Sequence, residues 1–102
     1  MSGRTLRLKR RYVIVKASSE ASLEEVSEAV RECFYELYGK TGLADSGFKK
    51  GTVGSYLFLS CYKEWLPKLV LAISLVRNVK GVYTVIRTVK VSGTVKSLRK
   101  TV

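Results

Sequence analysis

The chain has 102 residues, 46% of them hydrophobic, and it carries 19 Lys and Arg against 8 Asp and Glu, for a formal net charge of +11. This length suffices for one packed domain and excludes two, so we expect a single domain over residues 1–102. The charge exceeds what solubility requires and predicts a polyanionic partner, and no apolar run approaches the roughly 20 residues that cross a bilayer.

The first predicted element is a strand over residues 6–16. Its apolar side chains change side, from even-numbered positions in the first half to odd-numbered positions in the second. A β-bulge or bend near Arg10 and Arg11 would reconcile the two halves.

Helix 1 is predicted over residues 22–38. A capping box begins it, with Ser22 at the N-cap and Glu25 three residues later, and apolar residues follow at helical spacing. Five glycines after the helix are interpreted as turn residues, and residues 44–50 between them as a short strand. The strand predicted next, over residues 55–62, is apolar on both faces.

Helix 2 is predicted over residues 66–79, since Pro67 suits its first turn and Gly81 stops it. A final strand over residues 82–91 precedes a basic C-terminal tail. This order predicts an α+β, two-layer sandwich of the ferredoxin-like or RNA-recognition-like βαββαβ type, with an antiparallel sheet. The helices should cover one face of the sheet and leave the other available.

Charge is segregated along the chain. Among charged residues, segments 1–19 and 65–102 contain only basic ones, whereas six of the eight acids lie within residues 20–36. We therefore expect one surface that binds the polyanion and another that avoids it.

The sequence offers little for catalysis. It contains no histidine, and neither Cys33 nor Cys61 has a base nearby in sequence, so a stand-alone nuclease is not expected. We expect no cofactor in the protein. Without a secretory signal, the cysteines indicate reduced thiols in a cytoplasmic protein.

Helix 1 also carries a ladder of four glutamates at i, i+4 spacing. Each like-charged pair costs a few tenths of a kcal/mol. The ladder is either a solvated helix face or a surface that docks a basic protein partner, and a metal site is not favoured because no Asp or His completes a ligand shell. Its members are Glu24, Glu28, Glu32 and Glu36.

Two further apolar groups suggest interfaces. Leu71 and Leu75 lie one turn apart on helix 2, on the side away from the sheet, which favours a protein interface over an incidental apolar surface. Tyr56 and Phe58 lie where RNA-recognition modules place base-stacking rings, but the surrounding pattern does not match those modules. We favour the interpretation that the basic tail or a partner covers them.

The assembled pattern resembles the archaeal ribonuclease P protein component 2 family, which is related to a small subunit of eukaryotic ribonucleases P and MRP. The resemblance is carried by Arg10, Arg11 and Tyr12 before "VIV", by "YKEW" at 62–65 and, most closely, by "SGTVK" at 92–96. It implies a protein that is not the catalyst and assists a catalytic RNA, which uses bound metal ions to remove the 5′ leader from precursor tRNA. It also implies ribonuclease P protein component 3 as partner, in a two-plus-two assembly.

Two function classes follow. The first is a ribonuclease P subunit that binds the catalytic RNA and meets precursor tRNA indirectly, and the second is a ferredoxin-like protein-interaction module whose basic charge is incidental. For the first, the two chain ends should approach one another and form one phosphate-binding patch that positions RNA without reading its sequence. The expected RNA contacts are Lys9, Arg10, Arg11, Tyr12, Ser92, Gly93, Thr94, Lys96, Arg99 and Lys100, and the expected partner contacts are Leu71, Leu75, Glu28 and Glu32.

Overall fold

A four-stranded antiparallel sheet packs on one face against two helices. The computed structural model of the chain describes residues 9–94 and residue 96, so the start of the predicted first strand and most of the basic tail lie outside the described residues. The strand order is β2-β3-β1-β6, which confirms the predicted α+β sandwich. The elements are β1 (Arg10–Ala17), α1 (Leu23–Asp45), β2 (Lys49–Val53), β3 (Tyr56–Tyr62), a 3-10 turn (Lys63–Trp65), α2 (Leu66–Leu75), β4 (Asn78–Val79), β5 (Val82–Tyr83) and β6 (Ile86–Ser92).

The central strand β1 pairs with β3 without interruption from its first residue. The bulge predicted near Arg10 and Arg11 is therefore wrong. The irregularity lies on the β6 side, between Ile14 and Val15, where Val89 of β6 is the extra residue. The predicted change of side depended on Leu6 and Leu8, which lie outside the described residues.

Helix α1 begins as predicted. The Ser22 hydroxyl accepts a hydrogen bond from the Glu25 amide (3.1 Å), and the Glu25 carboxylate accepts one from the Ser22 amide (3.0 Å). The regular helix ends where predicted, because at Gly39 the backbone takes φ 73° and ψ −177°. Further helical turns then continue to Asp45.

These additional turns correct two predictions. Gly42 is buried within them and is not a turn residue: a Cβ there would stand 2.6 Å from the Tyr38 Cβ and 3.4 Å from a ring carbon of Trp65. The glycine allows the close approach of helix and ring. The strand predicted over residues 44–50 is also wrong in its bounds, since β2 begins only at Lys49.

Helix α2 ends well before residue 79. Val76 is extended (φ −68°, ψ 126°), and the chain turns back as the hairpin β4–β5, whose Lys80 and Gly81 both have positive φ (51° and 82°). Such geometry is that of a type I′ turn, which matches the twist of a hairpin. The strand predicted over residues 82–91 is therefore divided between β5 and β6.

The main core lies between the sheet and the helices, and a smaller apolar cluster lies on the other face of the sheet, hereafter the outer face. In the smaller cluster Ile14 and Val53 are buried, with Tyr12, Tyr56 and Phe58 packed against them. Strand β3 is thus apolar on both faces, as predicted. Within the described residues, no helix is long and apolar enough to span a membrane. The main core includes Val13, Val15, Val26, Val30, Phe34, Leu57, Leu59, Cys61, Leu69, Ala72 and Ile73.

Candidate nucleic-acid interface

The start of β1 and the end of β6 lie side by side in the sheet. Tyr12 of β1 lies opposite Ser92 of β6, and the Arg11 guanidinium lies 3.4 Å from the position that a Cβ on Gly93 would occupy. The start of β1 therefore lies beside the end of β6, as expected, whereas most of the basic tail lies outside the described residues. We call this surface the terminal patch, formed by Lys9, Arg11, Ser92, Gly93, Thr94 and Lys96.

Arg10, one of the expected RNA contacts, is engaged within the protein. Its Nε donates to the Ser60 hydroxyl (3.1 Å), its Nη2 donates to the Gly47 carbonyl oxygen, and its guanidinium lies 4.9 Å from the centre of the Tyr62 ring. The side chain is half-buried. Arg10 therefore joins the start of β1 to β3 and to the loop before β2.

The neighbouring cations are more accessible. Lys9 and Lys96 are exposed, and Arg11 is half-buried, with one guanidinium nitrogen donating to the Arg10 carbonyl oxygen (3.0 Å). The Lys9 carbonyl oxygen accepts from the Lys63 amide (2.7 Å), which holds this backbone in place. The expected contacts Arg99 and Lys100 lie outside the described residues.

The segment after β6 folds into a small turn of its own. The Ser92 hydroxyl donates to the Thr94 carbonyl oxygen (3.1 Å) and accepts from the Thr94 amide (3.2 Å). Gly93, between them, is exposed. This turn is typical of Ser and Thr side chains that bond the nearby backbone, and it holds the segment beside β1.

The outer face carries four cations that are not among the RNA contacts expected from the sequence: Lys16, Lys49, Arg87 and Lys90. Residues directly opposite in an antiparallel pair share a face, so Lys90 lies on the side of Ile14, and Arg87 on the side of Lys16. Lys49 is opposite Ser60, which in turn is opposite Tyr12. The alternation in "YVIVK" already placed Lys16 with Tyr12, whereas the bulge in β6 hid the side of Lys90.

The two layers of the fold have opposite charge. The four strands of the sheet contain seven cationic residues and no acidic one. Six of the eight acids of the chain lie on α1, on the other side of the main core. The predicted separation of charge is therefore present between the layers.

The expected partner contacts lie together on the helical layer. Leu71 and Leu75 are each 48% exposed on α2. Leu75 and the glutamates Glu28 and Glu32 line one groove of about 520 Å³ between α1 and the β4–β5 hairpin. Glu24, at the start of the ladder, instead forms an ion pair with Lys50 of β2.

Both cysteines are free thiols held in their protonated form. Burial raises the pKa of the Cys61 thiol to about 11, and the positive charge of Arg10 lowers it only in part. Burial, together with the charge of Glu36, also raises the pKa of Cys33. Because the thiolate is the nucleophile, neither side chain is activated for catalysis.

The chain is similar to known proteins over most of its length. A family model described as the Rpp14/Pop5 family matches residues 11–102. The ribonuclease P protein component 2 of Archaeoglobus fulgidus is 30% identical over 94% of this chain and 90% of its own length. The ribonuclease P protein component 2 of Pyrococcus horikoshii is 33% identical over 94% of this chain and 84% of its own.

A chain in a cryo-EM structure of yeast ribonuclease MRP has the same fold. It superposes with a TM-score of 0.56 at 10% identity, over 89% of this chain and 79% of that chain. The family model begins at Arg11, within the basic start of β1, and it includes the "SGTVK" segment. The chain therefore belongs to the Rpp14/Pop5 family, together with archaeal proteins named ribonuclease P protein component 2.

Proposed function

We propose that this chain binds the catalytic RNA of ribonuclease P in the cytoplasm and assists it in removing the 5′ leader from precursor tRNA. The RNA and the metal ions bound to it carry out the cleavage, and the protein meets precursor tRNA only indirectly. One observation carries the proposal: the sheet layer is entirely basic in its charged residues, while the acids are concentrated on α1.

The terminal patch supplies the chemistry. Lys9, Arg11 and Lys96 neutralise phosphates and lower the repulsion between RNA segments that must come close together. The exposed Gly93 backbone and the Thr94 hydroxyl act as phosphate donors in this proposal, and Arg99 and Lys100 extend the patch. Arg10 contributes its charge and fixes the position of its neighbours.

The helical layer binds the protein partner. Leu71 and Leu75 supply exposed apolar area, and Glu28 and Glu32 add negative charge beside it, which suits a basic, partly apolar partner surface. We assign ribonuclease P protein component 3 to this surface, in a two-plus-two assembly. RNA and partner thus occupy opposite layers and do not compete.

The first experiment measures precursor-tRNA cleavage by reconstituted ribonuclease P RNA at low magnesium, with component 3 present. A variant with Arg11→Ala and Lys96→Ala removes two cations of the terminal patch and leaves Arg10 in place, because Arg10 is part of the packing. We expect the stimulation by the protein to fall about tenfold or more, since each lost phosphate contact weakens the complex.

The matched control replaces one Arg and one Lys on the helical layer, Arg31→Ala with Lys40→Ala, both exposed on α1. It should stimulate cleavage like the wild type, and both variants should capture component 3 normally. Equal loss in the two variants would show a nonspecific effect of charge. A wild-type protein that gives no stimulation would contradict the proposed function itself.

A further inference from the structure

The outer face of the sheet presents aromatic rings as well as cations. Phe58 leans across β2: a Cβ on Gly51 would stand 2.4 Å from its Cζ, so the glycine leaves room for the ring to lie over the neighbouring strand. Tyr12 packs against Phe58 edge to face, with ring centres 5.7 Å apart and an interplanar angle of 72°. Both rings are half-buried and part of each remains accessible.

The cations of this face surround the rings. Lys16 and Arg87 pair across β1 and β6, Lys90 lies opposite Ile14, and Lys49 lies on β2 beyond β3. Lys16, Lys49 and Arg87 are exposed and Lys90 is half-buried. Aromatic rings within a cationic surface that lacks acidic residues suit a nucleic acid rather than a protein partner.

The rings also decide which form of RNA fits. In a double helix the faces of the bases are stacked on one another, so a side chain can reach them only where the RNA is unpaired. Phosphate contacts alone would not require aromatic side chains at the centre of the face. The combination of rings and cations is that of surfaces that bind single strands.

We propose that the outer face binds an unpaired segment of the catalytic RNA, with bases stacked on Phe58 and Tyr12 and phosphates held by Lys16, Lys49, Arg87 and Lys90. This differs from the cover by the basic tail or a protein partner that the sequence pattern favours for Phe58. This inference rests on the proposed function and names the form of RNA that the sheet accepts. The catalytic RNA is the occupant because Tyr12 lies directly opposite Ser92, which makes the outer face continuous with the terminal patch.

The test compares the full-length protein with Phe58→Leu in binding an oligouridine and a fully paired RNA duplex. Leucine keeps apolar contact with Ile14 and removes the stacking surface. We expect affinity for oligouridine to fall about tenfold and affinity for the duplex to stay the same. The matched control is Tyr35→Leu, which removes a ring that is 49% exposed on the acidic helix α1 and should change neither affinity.

Thermal unfolding monitored by circular dichroism checks the fold of each variant. If Phe58→Leu does not fold, Tyr12→Leu replaces it, since Tyr12 is half-buried and its loss leaves Phe58 over Gly51. Unchanged affinity for oligouridine in a folded variant overturns the proposal. An equal loss for oligouridine and duplex also overturns it, because stacking requires free base faces.

Photocrosslinking identifies the occupant in the assembled complex. Bromouridine is placed either in the catalytic RNA or in the precursor tRNA, and the crosslinked peptides are identified by mass spectrometry. Crosslinks from the catalytic RNA to peptides containing Tyr12 or Phe58 support the proposal, whereas crosslinks there only from precursor tRNA, or from neither RNA, overturn it. Stimulation of cleavage by the wild type is scored separately, so the proposed function can stand when this inference fails.

Discussion

Arg10 is one of the RNA contacts expected from the sequence, and its side chain packs within the protein. Its guanidinium reaches Ser60, the Gly47 carbonyl oxygen and the Tyr62 ring, which are distant in sequence and adjacent in the fold. Because its Nε and Nη2 already donate within the protein and its charge lies over a ring, fewer of its N–H groups are available to a phosphate. Arg10 is therefore a positioning residue, and Arg11 and Lys9 are the better candidates for direct contact.

Gly47 makes this arrangement possible, and its substitution tests it. Its φ is +67°, and a Cβ there would lie 2.6 Å from the Tyr62 ring and 2.9 Å from the Arg10 guanidinium. We expect Gly47→Ala to lower the free energy of unfolding by about 1–3 kcal/mol, measured by urea denaturation. Gly93→Ala, at an exposed position where a Cβ meets only Arg11 at 3.4 Å, should change it little. Equal effects would argue against the packing role of Gly47.

At the scale of elements, the charge pattern of α1 destabilises this helix. The glutamates at i, i+4 spacing repel one another, and only Glu24 is seen in an ion pair among the described residues. Glu28 and Glu32 instead line the groove that also contains Leu75, with Arg77 and Lys80 on its other side. Negative charge beside an exposed apolar residue is explained if a basic partner covers both.

Charge reversal in α1 tests this role. Glu28→Lys with Glu32→Lys should weaken capture of component 3 by about tenfold or more, because repulsion replaces attraction at the interface, and affinity can be measured by calorimetry. The matched control reverses two exposed acids away from the groove, Asp45→Lys with Glu64→Lys, and should retain normal affinity. Unchanged assembly by the groove variant would refute its assignment as the partner surface.

At the scale of the whole molecule, the separation of charge makes one layer of the protein basic and the other acidic. Because a polyanion is attracted to the sheet and repelled by α1, we expect RNA to approach the protein from the sheet side. The same separation leaves the helical layer accessible to a protein. In the proposed function, one small domain would in this way bind an RNA and a protein partner on opposite layers.

The dependence of RNA affinity on salt tests this picture. If about six phosphates are neutralised, affinity for the catalytic RNA should fall about a thousandfold between low and moderate salt. The Arg11→Ala, Lys96→Ala variant should reduce the slope by about two counterions. An affinity that does not respond to salt would favour the protein-interaction module with incidental charge.

The sequence by itself determined the order and type of the main elements, the start of α1, the separation of charge and the family. These depend on neighbours in the chain: a capping box needs residues three apart, and periodicity needs one helix or one strand. The pairing of the first strand with the last also followed from the order of elements. The length of α2 did not, because the helix ends before Val76 and the chain turns into the tight β4–β5 hairpin, whose Val79 packs in the main core.

Only the tertiary structure decided how Arg10 is used and which cations share the outer face. The Arg10 bond to Ser60 joins residues 50 positions apart, and no local pattern encodes such a contact. The face of Lys90 depends on a bulge against β1, and the place of Phe58 depends on Gly51 of a different strand. Long-range packing selects among arrangements that are equivalent locally, so these features of the site became visible only in the folded chain.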